Sequence, residues 1–151
     1  MMRRVFTTRG RFGSKRGQSL VEFSFAMPIL LITVTGMLSF GIAMHNFLTL
    51  TNGVNTGAQV MAMSRGQTSD PCASALTAIE NAAPGLTGTN ISLTVVINGT
   101  SFTSTSCTTG AADMTQGTLA QVTATYPCVL AIYGMGVPSC TLRSQASELI
   151  Q

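Results

Sequence analysis

The chain has 151 residues, of which 9% are charged and 45% apolar. A soluble domain carries about 25% charged residues, so the deficit suggests membrane or assembly contacts, and the length leaves room for one modest domain plus a membrane segment. The net charge of +3 hides an asymmetry. Arg3, Arg4, Arg9, Arg11, Lys15 and Arg16 give residues 1–17 a charge of +6, whereas residues 18–151 set Arg65 and Arg143 against Glu22, Asp70, Glu80, Asp113 and Glu148, a net of −3. A basic tail can signal nucleic acid. Placed directly before an apolar helix it reads as a topology signal instead, and no nucleic-acid partner is expected.

Residues 1–17 form a short, basic leader with few large apolar side chains. Residues 18–44 follow as an apolar helix, and from Phe23 to Met44 no residue carries a formal charge. As a helix that run is about 33 Å long at roughly 1.5 Å per residue, enough for a hydrocarbon core of about 30 Å. Basic flanks stay cytoplasmic, so the N-terminus is expected inside and the C-terminal bulk outside, with the lipid bilayer as a partner. Pro28 lies within this helix, where membrane segments tolerate proline, and a kink is expected there. Gly36 and Gly41 are small positions that permit close helix approach.

Residues 45–66 continue the helix as an amphipathic extension. His45 and Asn46 mark the far interface. Phe47, Leu48, Leu50, Val54, Ala58, Val60, Met61 and Ala62 supply an apolar pattern of rough helical spacing, opposed by Thr49, Thr51, Asn52, Asn55 and Gln59. Gly53 and Gly57 should weaken it, and Arg65-Gly66 suits its end.

Residues 67–151 read as a small extracytoplasmic α+β domain. Pro71 opens a short helix over 72–82, which Pro84-Gly85 ends. From Asn90 the apolar period becomes two: Ile91, Leu93, Val95 and Ile97 alternate with Ser92, Thr94 and Val96. Asn98-Gly99 is a strong hairpin signal, since both turn residues tolerate positive φ. Strands are expected over 100–105, 118–126 and 141–150, with 127–140 as a Gly/Pro-rich loop. The expected fold class is α+β: a long N-terminal transmembrane and amphipathic helix, then a small antiparallel meander with one short helix.

Cys72, Cys107, Cys128 and Cys140 all lie beyond the helix, an even number in the compartment expected to be oxidising. Four cysteines allow three pairings. Cys72–Cys107 with Cys128–Cys140 is favoured, because the first ties the short helix to the hairpin and the second closes the Gly/Pro-rich loop. No C-x-x-C occurs and the one histidine sits at the membrane edge, so no metal is expected. No P-loop, G-x-G-x-x-G, H-E-x-x-H or G-x-S-x-G motif occurs, and neither a cofactor nor a catalytic residue is expected.

Glu22 resists a bland reading, because a carboxylate inside an apolar run costs a few kcal/mol if it enters lipid. Its surroundings are Lys15-Arg16-Gly17, then Gln18-Ser19-Leu20-Val21-Glu22-Phe23. Cleavage after Gly17 would make Gln18 the first residue and Glu22 the fifth, and the new α-amine could pair with Glu22 of a neighbouring subunit. These residues resemble the processing signal of type IV prepilins and pseudopilins. More specifically, Gly-Gln-Ser-Leu-Val-Glu-Phe, Pro28, Phe40-Gly41 and the stretch from Leu50 to Ala62 resemble the TadE-like proteins of the tight-adherence (Tad) pilus. So does the strand run from Gln121 to Cys128.

The resemblance implies a minor pilin or pseudopilin acting in pilus biogenesis and surface adherence, cleaved between Gly17 and Gln18 by a prepilin peptidase, with Glu22 and Phe23 setting helix register. It implies other pilin and pseudopilin subunits and inner-membrane pilus assembly proteins as partners. The implied location is the bacterial inner membrane, with the N-terminus cytoplasmic, the C-terminal domain periplasmic, and later incorporation into a pilus. One departure is Gln59, where the family's A-x-x-G-A-R-like stretch carries arginine. The rival readings are a single-pass anchored binding domain that never assembles and a secreted protein with an ordinary signal peptide. Against the latter, the apolar run exceeds a typical signal core.

Overall fold

A computed structural model describes residues 15–128, 131–132, 135–136 and 140–151. The leader expected over 1–17 lies outside the described residues up to position 14. Its last three residues already belong to the first helix.

That helix, α1 (Lys15–Met63), has 49 residues and runs unbroken through Pro28. It is about 73 Å long at roughly 1.5 Å per residue. Its C-terminal third forms one wall of the core. Leu50, Val54, Ala58 and Met61 are fully buried, and their 4-4-3 spacing places them on one face. Phe47 and Leu48, expected on that face, are exposed, because the domain covers α1 only from about Leu50 onward. The helix ends at Met63, where the Ser64 hydroxyl donates to the Met61 carbonyl at 2.8 Å. Arg65 lies beyond the last turn, and Gly66 takes a φ of 72° in the turn that follows.

The short helix α2 (Pro71–Ala82) packs along α1. Asp70 is its N-cap, accepting from the Ala73 N–H, and Pro71 opens its first turn. The two glycines expected to weaken α1 make this packing possible. A Cβ at Gly57 would lie 2.6 Å from Ile79 Cγ1 and 3.0 Å from the Ala75 carbonyl oxygen. One at Gly53 would lie 3.1 Å from Ala83 Cβ.

Strands β1 (Ser92–Ile97) and β2 (Thr100–Phe102) form the expected hairpin. Asn98 and Gly99 take φ of 48° and 86°, both central positions positive, as in the turns that match strand twist. Ile91, Leu93, Val95 and Ile97 are buried, so the period-two reading holds residue by residue.

Two expectations fail further on. The sheet is not a meander: β3 (Leu119–Pro127) pairs with β1 rather than β2, and with β6 (Thr141–Leu149) on its other side, giving the order β2-β1-β3-β6. β2 has only three residues, none buried, and can offer little to a nine-residue strand. The Cys72–Cys107 link also carries the chain after β2 to the start of α2, and β3 then returns alongside β1. Secondly, the 127–140 loop holds a two-stranded ladder, β4 (Ala131–Ile132) with β5 (Met135–Gly136).

α1 packs against β3 and β6 as well as α2. One continuous core joins Leu50, Val54 and Met61 of α1, Ile79 of α2, and Val95, Ile97 and Val122 of the sheet. The observed architecture is α+β, as expected.

Candidate assembly helix and its stapled domain

Among the described residues, nothing covers the first part of α1. Leu20, Phe23, Phe25, Leu30, Met37, Leu38 and Phe40 are all exposed, Phe25 at 74% and Met37 at 75%. Since successive residues on a helix point about 100° apart, these side chains together with the exposed Val21, Leu31, Ile32 and Ile42 surround the axis. Burying a large apolar side chain gains about 1.5–3 kcal/mol, so this surface is stable only in lipid or against other apolar helices. By length and composition α1 can cross a membrane over Gly17–Met63.

Glu22 is exposed, one turn after Gln18, whose Nε2 donates to Glu22 Oε1 at 3.3 Å. The structure thus brings together two of the sequence-predicted residues. Gly17 is exposed within the first turns of α1, and Phe23 is exposed beside Glu22. The hydroxyls in the apolar stretch are locally satisfied: Ser24 donates to the Leu20 carbonyl at 2.8 Å, Thr33 to Leu30 at 2.8 Å and Thr35 to Leu31 at 2.7 Å. That back-bonding is how a helix carries Ser and Thr through an apolar medium.

Both favoured disulfides are present. Cys72–Cys107 has a Cα–Cα distance of 5.4 Å and Cys128–Cys140 one of 5.2 Å, within the usual range for bridges. Beside the first lies a residue that the sequence reading passed over. Asp70 Oδ1 accepts from the Ala73 N–H at 3.1 Å and the Cys107 N–H at 2.9 Å, and Oδ2 accepts from the Ser106 hydroxyl at 2.5 Å. Partial burial pushes the Asp70 carboxyl up. Hydrogen bonds from Ser106, Cys107, Ala73 and Cys72 outweigh this and hold it below its ordinary value. Asp-Pro before an apolar-periodic stretch was a legible cap signal. Its second bond, to a loop 37 residues away, was not.

The ligand atoms of Asp70, Cys72 and Cys107 lie within 4.8 Å of one another. Both sulfurs are committed to the disulfide, and a metal needs the thiolate, so this cluster is a staple and not a metal centre. His45 is exposed on α1.

No curated protein and no solved structure matches the chain. A family model does: the one described as TadE-like protein matches residues 17–59, from the glycine ahead of Gln18 to the turn of α1 that packs on α2. The family is the one whose features the sequence displays, and the match lies on the helix that the fold leaves half uncovered. Over that helix the chain is similar to the TadE-like family, and the similarity extends over residues 17–59.

Proposed function

We propose that the protein is a minor pilin or pseudopilin of a Tad-type system, inserted with its leader in the cytoplasm and cleaved after Gly17 by a prepilin peptidase. It is the peptidase's substrate and not an enzyme. The observation that carries this reading is the uncovered first part of α1, apolar around its circumference with Glu22 alone as an acid near its start. A simple anchor needs apolar residues and gains nothing from a carboxylate. An assembling helix uses one.

Hydrolysis of the Gly17–Gln18 bond leaves an ammonium on Gln18 at the positive end of the helix dipole. A carboxylate from a neighbour offsets that concentration of positive charge. Glu22 is four residues further on, about 6 Å along the axis at roughly 1.5 Å per residue. A second subunit displaced by about that much brings its Glu22 level with the first subunit's amine. In a low-dielectric bundle an unpaired charge is heavily penalised, so the pair selects one stagger among many. The stapled domain remains outside for contacts with other pilus components.

The processing step is tested by N-terminal sequencing after co-expression with a prepilin peptidase. The mature chain is expected to begin at Gln18; any other start overturns this part of the proposal. Glu22→Ala is expected to be cleaved normally and to lower pilus yield sharply, and a normal yield would remove the stacking role. Photo-crosslinkers placed at Phe40 should give adducts with pilin subunits. Adducts with lipid alone would favour an anchored domain that does not assemble.

A further inference from the structure

Cleavage after Gly17 leaves a first residue whose side chain can react with its own nitrogen. The neutral amine of Gln18 attacks Cδ of the Gln18 carboxamide. An N–Cδ bond forms, the Cδ–Nε2 bond breaks, and one proton passes from the attacking nitrogen to the leaving group, which departs as ammonia. The product is a five-membered lactam, pyroglutamate. No oxidant, reductant or second substrate enters. The amide nitrogen that results carries no charge, so nothing remains for a carboxylate to pair with.

In the structure the reacting carboxamide already has a holder. Gln18 and Glu22 are exposed and four residues apart on α1, the spacing at which helix side chains meet. Gln18 Nε2 donates to Glu22 Oε1 at 3.3 Å. A carboxylate has about four lone-pair sites on its two oxygens, so the same group can take an ammonium as well. In a stack of mature subunits each Gln18 is then held twice: its carboxamide by Glu22 of its own chain, its amine by Glu22 of a neighbour. An ammonium beside a carboxylate keeps its proton and has no lone pair with which to attack. A cleaved subunit outside the stack has only the first restraint, and a single exposed pair on a helix is weak.

We infer that Gln18 is a self-modification site guarded by Glu22: a subunit that is cleaved but not stacked closes Gln18 to pyroglutamate and loses the amine that stacking requires. This rests on the cleavage and the Glu22–amine pair proposed above. Ring closure expels ammonia and stacking does not reverse it, so unassembled subunits are withdrawn from the assembly pool while stacked ones keep their amines. A residue without a side-chain carboxamide at position 18 would leave the amine permanent.

The full chain is co-expressed with a prepilin peptidase, purified in detergent and incubated at neutral pH. Met27 is the first methionine after Gln18, so cyanogen bromide releases residues 18–27 as one fragment for mass spectrometry. A sample taken before incubation sets the baseline. The wild-type fragment should lose one ammonia progressively, and pyroglutamyl aminopeptidase should then remove residue 18. Glu22→Ala should lose it about twofold faster, the factor expected from one helical side-chain pair. Gln18→Ala should not lose it. In cells that make the other pilin subunits the fragment should keep its ammonia, and in cells that lack them it should not. A wild-type fragment of constant mass overturns the inference, as does an equal or slower loss in Glu22→Ala. Equal loss with and without the other subunits also overturns it. A mature chain that starts elsewhere than Gln18 sinks the cleavage reading, and the inference with it. A start at Gln18 with constant mass rejects the ring closure alone.

Discussion

Asp70 does three jobs with one carboxylate: it caps α2, holds the Cys107 backbone and accepts from Ser106. Removing it in Asp70→Ala costs the cap, about 0.5–2 kcal/mol, and frees the loop end of the disulfide. Urea denaturation at neutral pH should show the loss. The pH dependence has a definite sign. The folded-state carboxyl titrates below its ordinary value of 3.8, so its contribution is complete above that value. It disappears as pH falls through the lowered folded value. Asp70→Asn should flatten that part of the stability profile while the rest of the acid limb persists. Denaturation midpoints at pH 2 to 5 for both proteins check this. The cap was readable from Asp70-Pro71, because capping is local. The Cys107 bond was not, because the partner is brought in by the fold.

At the scale of elements, the contact between α1 and α2 turns on glycine. Gly53-x-x-x-Gly57 is a close-approach spacing present in the sequence, and composition-based reasoning treated both residues only as helix weakeners. In the structure Gly57 meets Ile79 and the Ala75 carbonyl. Gly57→Ala is expected to destabilise the domain by about 1–3 kcal/mol through overpacking, despite the gain in helix propensity. Gly57→Ala with Ile79→Val should recover part of it. At Gly41 a Cβ meets nothing within 4 Å, so Gly41→Ala leaves the fold of the outer domain unchanged. Thermal melts of the four proteins in one detergent separate these outcomes. The hairpin shows the opposite case: a two-residue turn and an alternating strand are local patterns, and both were legible.

For the whole molecule, the disulfides close loops in a domain whose core side chains are mostly small. Cys72 and Cys107 are 35 residues apart, and opening that link is expected to cost about 3–4 kcal/mol on the loop-entropy model. Cys128 and Cys140 are 12 apart, and their link is worth about 3 kcal/mol on the same model. Cys72→Ser/Cys107→Ser should therefore unfold at lower urea than Cys128→Ser/Cys140→Ser. Equal midpoints would mean that the native contacts, and not the loop lengths, set the effect.

The sequence alone determined the long apolar helix, the hairpin, the α+β class and the resemblance carried by Gly17, Gln18 and Glu22. Each of these rests on residues close together in the chain, or on composition, where periodicity and turn chemistry act directly. Tertiary structure alone decided that β3 bypasses β2 to pair with β1, that α1 is covered only from about Leu50, and that its two late glycines receive α2. These depend on which long strand offers the larger matching surface and on how closely two backbones approach. Both are settled only when the whole core closes.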